Sequence, residues 1–388
     1  MNIFARTDKS ILGGWWWTVD RVTLALLVIL SVVGMFLVTA ASPAVADRIG
    51  ASSNHFIIRH VIYLLPSMLL MLGISMVSLK QVWRLSLIIF AFSIVCMVLV
   101  LLVGQEVKGA QRWISIGPFS LQPSELVKPS FIVVASWFIA RHKEQSHFKG
   151  FHYAVLLYLL TVGLLVMQPD MGMTFVVTAS FFTIVFLAGF PLRWIVLLLC
   201  LGVLGCVTAY FSFDHVQSRV DRFINPESGD TYQIDRSLMA FQNGGLFGTG
   251  AGQGTVKNTI PDAHADFIFA VAGEELGMFI TLMIIGLYAL IIIRGYNRIM
   301  DTDNMFIILA AGGILTLFGL QALINMGSTV HLLPTKGMTL PFISYGGSSL
   351  LSSGVGMGIL LALTKRQGRS GIARSGLSIR PIGGGYNK

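Results

Sequence analysis

The chain has 388 residues, of which 54% are hydrophobic and only 12% charged, and its formal charge is +9. A soluble domain carries about a quarter charged residues, so this balance excludes a water-soluble globular protein and leaves no stretch for a separate soluble catalytic domain. The basic residues gather at the ends of apolar runs and in the tail, not along one stripe, so no nucleic-acid partner is expected.

Residues 1–21 read as a cytoplasmic segment in which Trp15, Trp16 and Trp17 form an interfacial aromatic anchor. Arg6 and Lys9, followed by an apolar stretch ending near Ala44-Val45-Ala46, imitate a secretory signal. Val22 to Ala40, about 19 residues, is long enough to cross a bilayer of roughly 30 Å, and is read as a retained first helix. Runs of spanning length follow at Phe56 to Val77, Leu85 to Val103, Pro123 to Ala140, Tyr153 to Met167, Met173 to Phe190, Trp194 to Phe211, Phe267 to Ile293, Met305 to Met326 and Ser348 to Leu363. Lipid offers no partner for a free backbone amide, so these runs predict an all-α polytopic membrane protein with about ten transmembrane helices over residues 22–365.

An inside N-terminus places Arg21, Lys80, Arg84, Arg141, Lys143, Lys149, Arg193, Arg294 and Arg298 in the cytoplasm, with the basic tail, residues 366–388. The short outer loops then keep only Arg48, Lys108, Arg112 and Lys336, which predicts both ends inside. One large extracytoplasmic loop, 213–266, separates helices 7 and 8; its aromatic and aliphatic residues and clustered glycines predict a packed loop with tight turns. Cys96, Cys200 and Cys206 lie within apolar runs and indicate neither disulfides nor a zinc site.

Three stretches can carry chemistry. In Pro261-Asp262-Ala263-His264-Ala265-Asp266-Phe267, Asp266 sits where the outer loop meets the eighth helix, with Glu274 and Glu275 two turns deeper. A carboxylate there can act as a general base, or simply cap the helix. Glu125 and Lys128 share one face of the fourth helix and either pin its packing or line a polar cavity; Arg59 and Asp170 belong to the same class, Asp170 also reading as a turn residue. The prolines and glycines from Leu333 to Ser349 break any regular helix, which fits a re-entrant turn or a cradle for phosphate oxygens using Lys336, Ser344 and exposed amides.

Taken together, from about Asp20 to Lys365, these stretches resemble the SEDS family (shape, elongation, division and sporulation), polytopic bacterial polymerases of the cell-wall precursor lipid II. Leu333-Pro334-Thr335-Lys336-Gly337 resembles its cell-division branch. The resemblance implies a peptidoglycan glycosyltransferase of the bacterial inner membrane, acting at the division septum with inversion at the anomeric carbon. The family's essential acidic residue falls on Asp266, its paired charges on Glu125 and Lys128, and its Gln-Pro-Asp turn on Gln168 to Asp170. Some relatives carry an acidic residue shortly before the essential Asp, where this chain has Lys257 and Asn258.

Pyrophosphate is a good leaving group, so the site needs positive charge to receive it; Arg59, Lys128, Arg219, Arg222 and Lys336 are candidates, and His264 is a further substrate-binding candidate. A divalent cation, Mg or Mn, could share that task, although Asp262, His264 and Asp266 at alternate positions are only a weak ligand pattern; no organic cofactor is expected. Expected partners are lipid II, a class B penicillin-binding protein transpeptidase and other division proteins. A lipid II flippase and a non-catalytic division scaffold are the competing readings.

Overall fold

The computed structural model describes residues 10–107, 110–117, 119–145, 147–212, 217, 221, 232–334 and 337–366. Helices α1 (Ile11–Thr18), α2 (Arg21–Arg48), α3 (His55–Met76) and α4 (Leu79–Val103) lead to a small antiparallel sheet in the order β1-β2-β3: β1 (Gln105–Val107), β2 (Ala110–Ile116) and β3 (Phe119–Leu121). The chain continues through α5 (Pro123–Glu144), α6 (Gly150–Met167), α7 (Met171–Leu187) and α8 (Leu192–Ser212). Beyond it lie α9 (Tyr232–Gly244), a 3-10 turn (Val256–Thr259), α10 (Ile268–Met300), α11 (Met305–Thr329) and α12 (Gly347–Leu363). Among the described residues six helices, α2, α3, α4, α6, α10 and α11, are long and apolar enough to cross a membrane.

The signal-like Ala44-Val45-Ala46 lies inside α2, with Val45 and Ala46 buried against the bundle. Of these six, α11 is the most enclosed, with 72% of its apolar window buried against 28% for α3, α6 and α10, whose exposed leucines and isoleucines suit lipid. The tightest helix pair is α3 with α12. A Cβ on Gly354 would stand 2.4 Å from the Ser67 carbonyl oxygen, so only glycine lets the two backbones meet.

Polar contacts sort the ends of the bundle. At one end, the Arg366 amide donates to the Thr18 carbonyl at 2.9 Å, Lys365 Nζ reaches Val77 O at 3.1 Å, and the Trp15 indole donates to Ser75 Oγ at 2.9 Å. Asp20, the N-cap of α2, receives Arg294 through Nε and Nη2 at 2.8–3.0 Å, with Arg298 at 3.5 Å. Burial alone would raise the Asp20 carboxyl; the two guanidiniums and Thr23 outweigh it and hold the group below the usual carboxylate range. At the other end, Arg48 Nη2 donates to both Asn258 O and Ile260 O at 2.8 Å, and Arg112 donates to the carbonyls of Gln168 and Pro169.

Two features depart from the sequence reading. The stretch between α4 and α5 forms a sheet, and the expected continuous eighth span is broken at Gly277 (φ 78°, ψ 180°). The break is stitched by the glycine-rich turn: Thr249 and Gly250 amides donate to Glu274 O and Glu275 O, while Met278 and Phe279 amides donate to Gly245 O and Leu246 O. Every backbone group orphaned by the kink on these four residues is thus paired. The expected packing of the large loop holds for Phe241, which meets Phe269 at 5.7 Å, but Phe247 is 81% exposed; Phe223 lies outside the described residues.

Candidate active site

The first and third chemical stretches meet at the Arg48 end of the bundle. Residues 261–266 form a turn in which the Ala265 and Asp266 amides donate to Asp262 O at 2.9 and 3.1 Å. Facing it, the helix-breaking segment folds on itself: the Ser344 hydroxyl donates to Ala265 O at 2.6 Å and accepts the Leu340 amide at 2.8 Å. The Tyr345 amide donates to His264 O at 2.9 Å. From α11, one side-chain amide, that of Asn325, donates to Asp266 O at 2.9 Å and to Met338 O at 2.7 Å. Each wall holds one non-glycine residue in the left-handed region, Asp262 (φ 52°) and Phe342 (φ 64°), a strained arrangement that persists because surrounding bonds over-determine it.

Asp266 itself is half-buried, and the N-cap position of α10 falls on Phe267, which makes no side-chain cap. Its Oδ2 faces exposed Gly337, where an added Cβ would sit at 3.0 Å. The carboxylate thus stands at the edge of a backbone wall, beside a residue without a side chain.

His264 is packed between Phe56 (ring centroids 4.1 Å apart) and Tyr345 (5.1 Å). Burial pulls its imidazole down to about 4, against the opposing pull of Asp262 and with a smaller push from Arg48, so it is a neutral aromatic wall at neutral pH. Arg59, exposed at the start of α3, hydrogen-bonds the Tyr345 side chain and so belongs to the same corner. His60, the next residue, is fully buried with neither ring nitrogen partnered.

The second stretch joins through α12. Ser348 Oγ accepts the Gln122 amide at 2.8 Å, and Ser352 Oγ donates to Glu125 O at 2.7 Å. Glu125 Oε2 and Lys128 Nζ form a buried ion pair at 2.8 Å, so the lysine charge is already matched. Asp170 caps α7, accepting the Met173 amide at 3.3 Å, and lies 3.9 Å from Arg112 Nε; its carboxylate is committed to this turn. Arg219, Arg222 and Lys336 lie outside the described residues. The Asp262, His264, Asp266 trio does not assemble: among the described residues no three His, Cys, Asp or Glu converge as metal ligands.

Several residues that build the site were not singled out from sequence. Asn325 was visible as one of two amides, with Gln321, in an apolar run, a pattern that calls for a buried hydrogen-bond partner. Below Asp266, the buried half of α10 ends in Glu274 and Glu275. The Glu274 carboxylate accepts four bonds, from the amides of Thr255, Val256 and Lys257 at 2.7 Å and from Asn243 Nδ2 at 2.8 Å. Glu275 receives the buried Lys257 ammonium.

A bundle of apolar helices whose one end carries a half-buried carboxylate between two strained backbone walls is the architecture of a polytopic membrane enzyme. The family model described as cell cycle protein, FtsW/RodA/SpoVE, matches residues 20–368, and the chain belongs to that family of multi-pass membrane proteins. It is 44% identical over 367 residues to a probable peptidoglycan glycosyltransferase FtsW of Caulobacter vibrioides, covering 94% of each chain. To the Coxiella burnetii protein of the same description it is 37% identical, covering 89% of this chain and 96% of that one. Among solved structures, a chain of a peptidoglycan synthase complex coordinating polymerization and crosslinking superposes with a TM-score of 0.73 at 25% identity, covering 90% of this chain and 98% of that one. The Thermus thermophilus rod shape determining protein RodA gives a TM-score of 0.67 at 25% identity, covering 90% and 97%.

Proposed function

We propose that this chain is a peptidoglycan glycosyltransferase that polymerises lipid II at the division septum of the bacterial inner membrane. In this reading ten helices, α2 to α8 and α10 to α12, cross the bilayer, both ends are cytoplasmic, and the Asp266 end faces outward. The relatives' shared description, glycosyltransferase FtsW, supports the activity, and the observation that carries the mechanism is the half-buried Asp266 beside Gly337.

The acceptor sugar's 4-hydroxyl is a weak nucleophile until a base takes its proton during attack. Asp266 accepts that proton as the new glycosidic C–O bond forms at the donor's anomeric carbon, with inversion. The bond to the lipid pyrophosphate breaks, and the leaving group departs with the electron pair. Arg59 receives that negative charge, a role supported by its hydrogen bond to Tyr345 in the same corner, with Arg219, Arg222 and Lys336 as further candidates. A class B penicillin-binding protein is the expected partner, in keeping with the similarity to a chain from a complex that couples polymerization to crosslinking.

Purified protein with lipid II, alone and with the transpeptidase, tests this reading. Polymer is expected from the native chain, and Asp266→Asn should lower the rate at least 100-fold, roughly the contribution of a positioned general base, in a folded protein. Polymer made at the native rate by Asp266→Asn, or lipid II transport without polymer by the native chain, overturns it.

A further inference from the structure

Lys257 and Glu275 stand nine residues before and after Asp266, and they close the ends of that stretch on each other. We propose that this ion pair is a positioning device that sets the register of the buried half of α10, and with it the place of the Asp266 carboxylate. The inference rests on Asp266 being the general base.

Three observations carry it. Lys257 is 5% exposed and Glu275 1%, so the pair is held away from water, where an unmatched charge is strongly disfavoured. The neighbouring Glu274 is bound by the amides of Thr255, Val256 and Lys257, so both ends of the stretch are joined twice, once by charge and once by backbone. Helix geometry then sets the stakes. A slip of one residue along α10 would turn the chain by about 100° and shift it about 1.5 Å. Lys257 would then face Leu276 in one direction or Glu274 in the other, and the second slip would strip the amides of Thr255, Val256 and Lys257 of their carboxylate, so either slip leaves a buried polar group unmatched. A general base has to stand within about 2.6–3.2 Å of the hydroxyl it deprotonates, so a shift of that size would take Asp266 out of range.

Glu275 lies seven residues, about 10 Å, along α10 from Ile268, and Asp266 stands in the turn before that helix, so Glu275 acts through the backbone and not on the reacting atoms. The two charges cancel, so removing both leaves the net field at Asp266 nearly unchanged while removing the register lock. That separates positioning from electrostatic tuning.

The test is steady-state polymerisation by the full-length chain with lipid II, together with thermal unfolding in detergent, for Glu275→Gln, the double variant Lys257→Met with Glu275→Leu, Lys257→Arg, and Asp266→Asn. The double variant leaves no charge unmatched and is expected to unfold near the native temperature. Its kcat should fall at least tenfold, with KM for lipid II within twofold and the pH profile of the remaining activity unmoved. Glu275→Gln should lose kcat similarly, and Lys257→Arg, which keeps the pair, should stay within about threefold of native. Native kcat in the double variant, a loss carried by KM alone, or a Lys257→Arg loss as deep as that of the double variant each overturns the inference. If the double variant does not fold, the Glu275→Gln and Lys257→Arg comparison decides. Active Asp266→Asn instead removes the general-base reading itself, so the two failures are distinguishable.

Discussion

Asn325 and Asp266 are joined through the main chain: the asparagine amide donates to the Asp266 carbonyl at 2.9 Å while its second proton serves Met338 O at 2.7 Å. One side chain on α11 therefore fixes the spacing between the two walls of the site. Asn325→Asp has the same shape but, ionised, cannot donate, and leaves two carbonyls without their partner at about 1–3 kcal/mol each. We expect a lower unfolding temperature and a kcat loss of at least tenfold, measured in detergent with lipid II; an Asp variant with native kcat would show that the walls hold their spacing without this bridge.

The Glu125–Lys128 pair predicts a thermodynamic asymmetry. Lys128→Met alone strands a buried carboxylate and should cost about 3–5 kcal/mol, whereas adding Glu125→Leu should recover most of it. A double-mutant cycle by chemical unfolding measures this. Equal destabilisation by the single and double variants would mean that the two charges are not coupled.

Acid should destabilise the fold in two stages. His264 is neutral when folded, its value lowered to about 4 from an ordinary 6.5, so its contribution is complete above about pH 6.5 and is lost as pH falls toward 4, amounting to about 3 kcal/mol. Asp20, held below the usual range by Arg294 and Arg298, contributes above about pH 4 and loses that contribution only at more acid pH. Unfolding temperature followed from pH 8 to pH 3 should fall in the first window for the native chain and fall less steeply there for His264→Phe. A native slope in that variant would refute the assignment.

Gly277→Ala should be among the most damaging small substitutions. The residue adopts φ 78°, and an added Cβ would lie 2.3 Å from the Gly248 amide nitrogen. Backbone strain and the clash together should cost at least about 2 kcal/mol and loosen the glycine-rich turn. Limited proteolysis within 244–254 should quicken; unchanged cleavage would show that the break is not held by this contact.

Hydropathy made the helices legible, because a bilayer demands long apolar runs whatever packs against them. Asp266, Ser344 and the Glu125–Lys128 pair were legible for the opposite reason: each is a polar group where lipid or packing penalises one. The carbonyl acceptors were not legible, since every residue carries one, and so the Asn325 bridge and the Arg48 contacts to Asn258 and Ile260 emerged only in three dimensions. The α10 break was hidden for a similar reason. Glu274-Glu275-Leu276-Gly277 is compatible with an unbroken helix, and only the six-residue turn from Gly245 to Gly250, folded against it, makes the kinked form the satisfied one. Lys257 looked like a departure from the family pattern, yet it supplies the counter-ion for Glu275.

The kink also decides what the hydrocarbon can feel. From Met278 to Ile293 the apolar lower segment of α10 has 16 residues, about 24 Å of helix, which falls short of a bilayer core of roughly 30 Å because Arg294 and Arg298 already belong to the Asp20 end. The upper segment therefore has to complete the span, and Glu274 and Glu275 can sit there because the amides of Thr255, Val256 and Lys257 and the Lys257 ammonium shield both carboxylates from acyl chains.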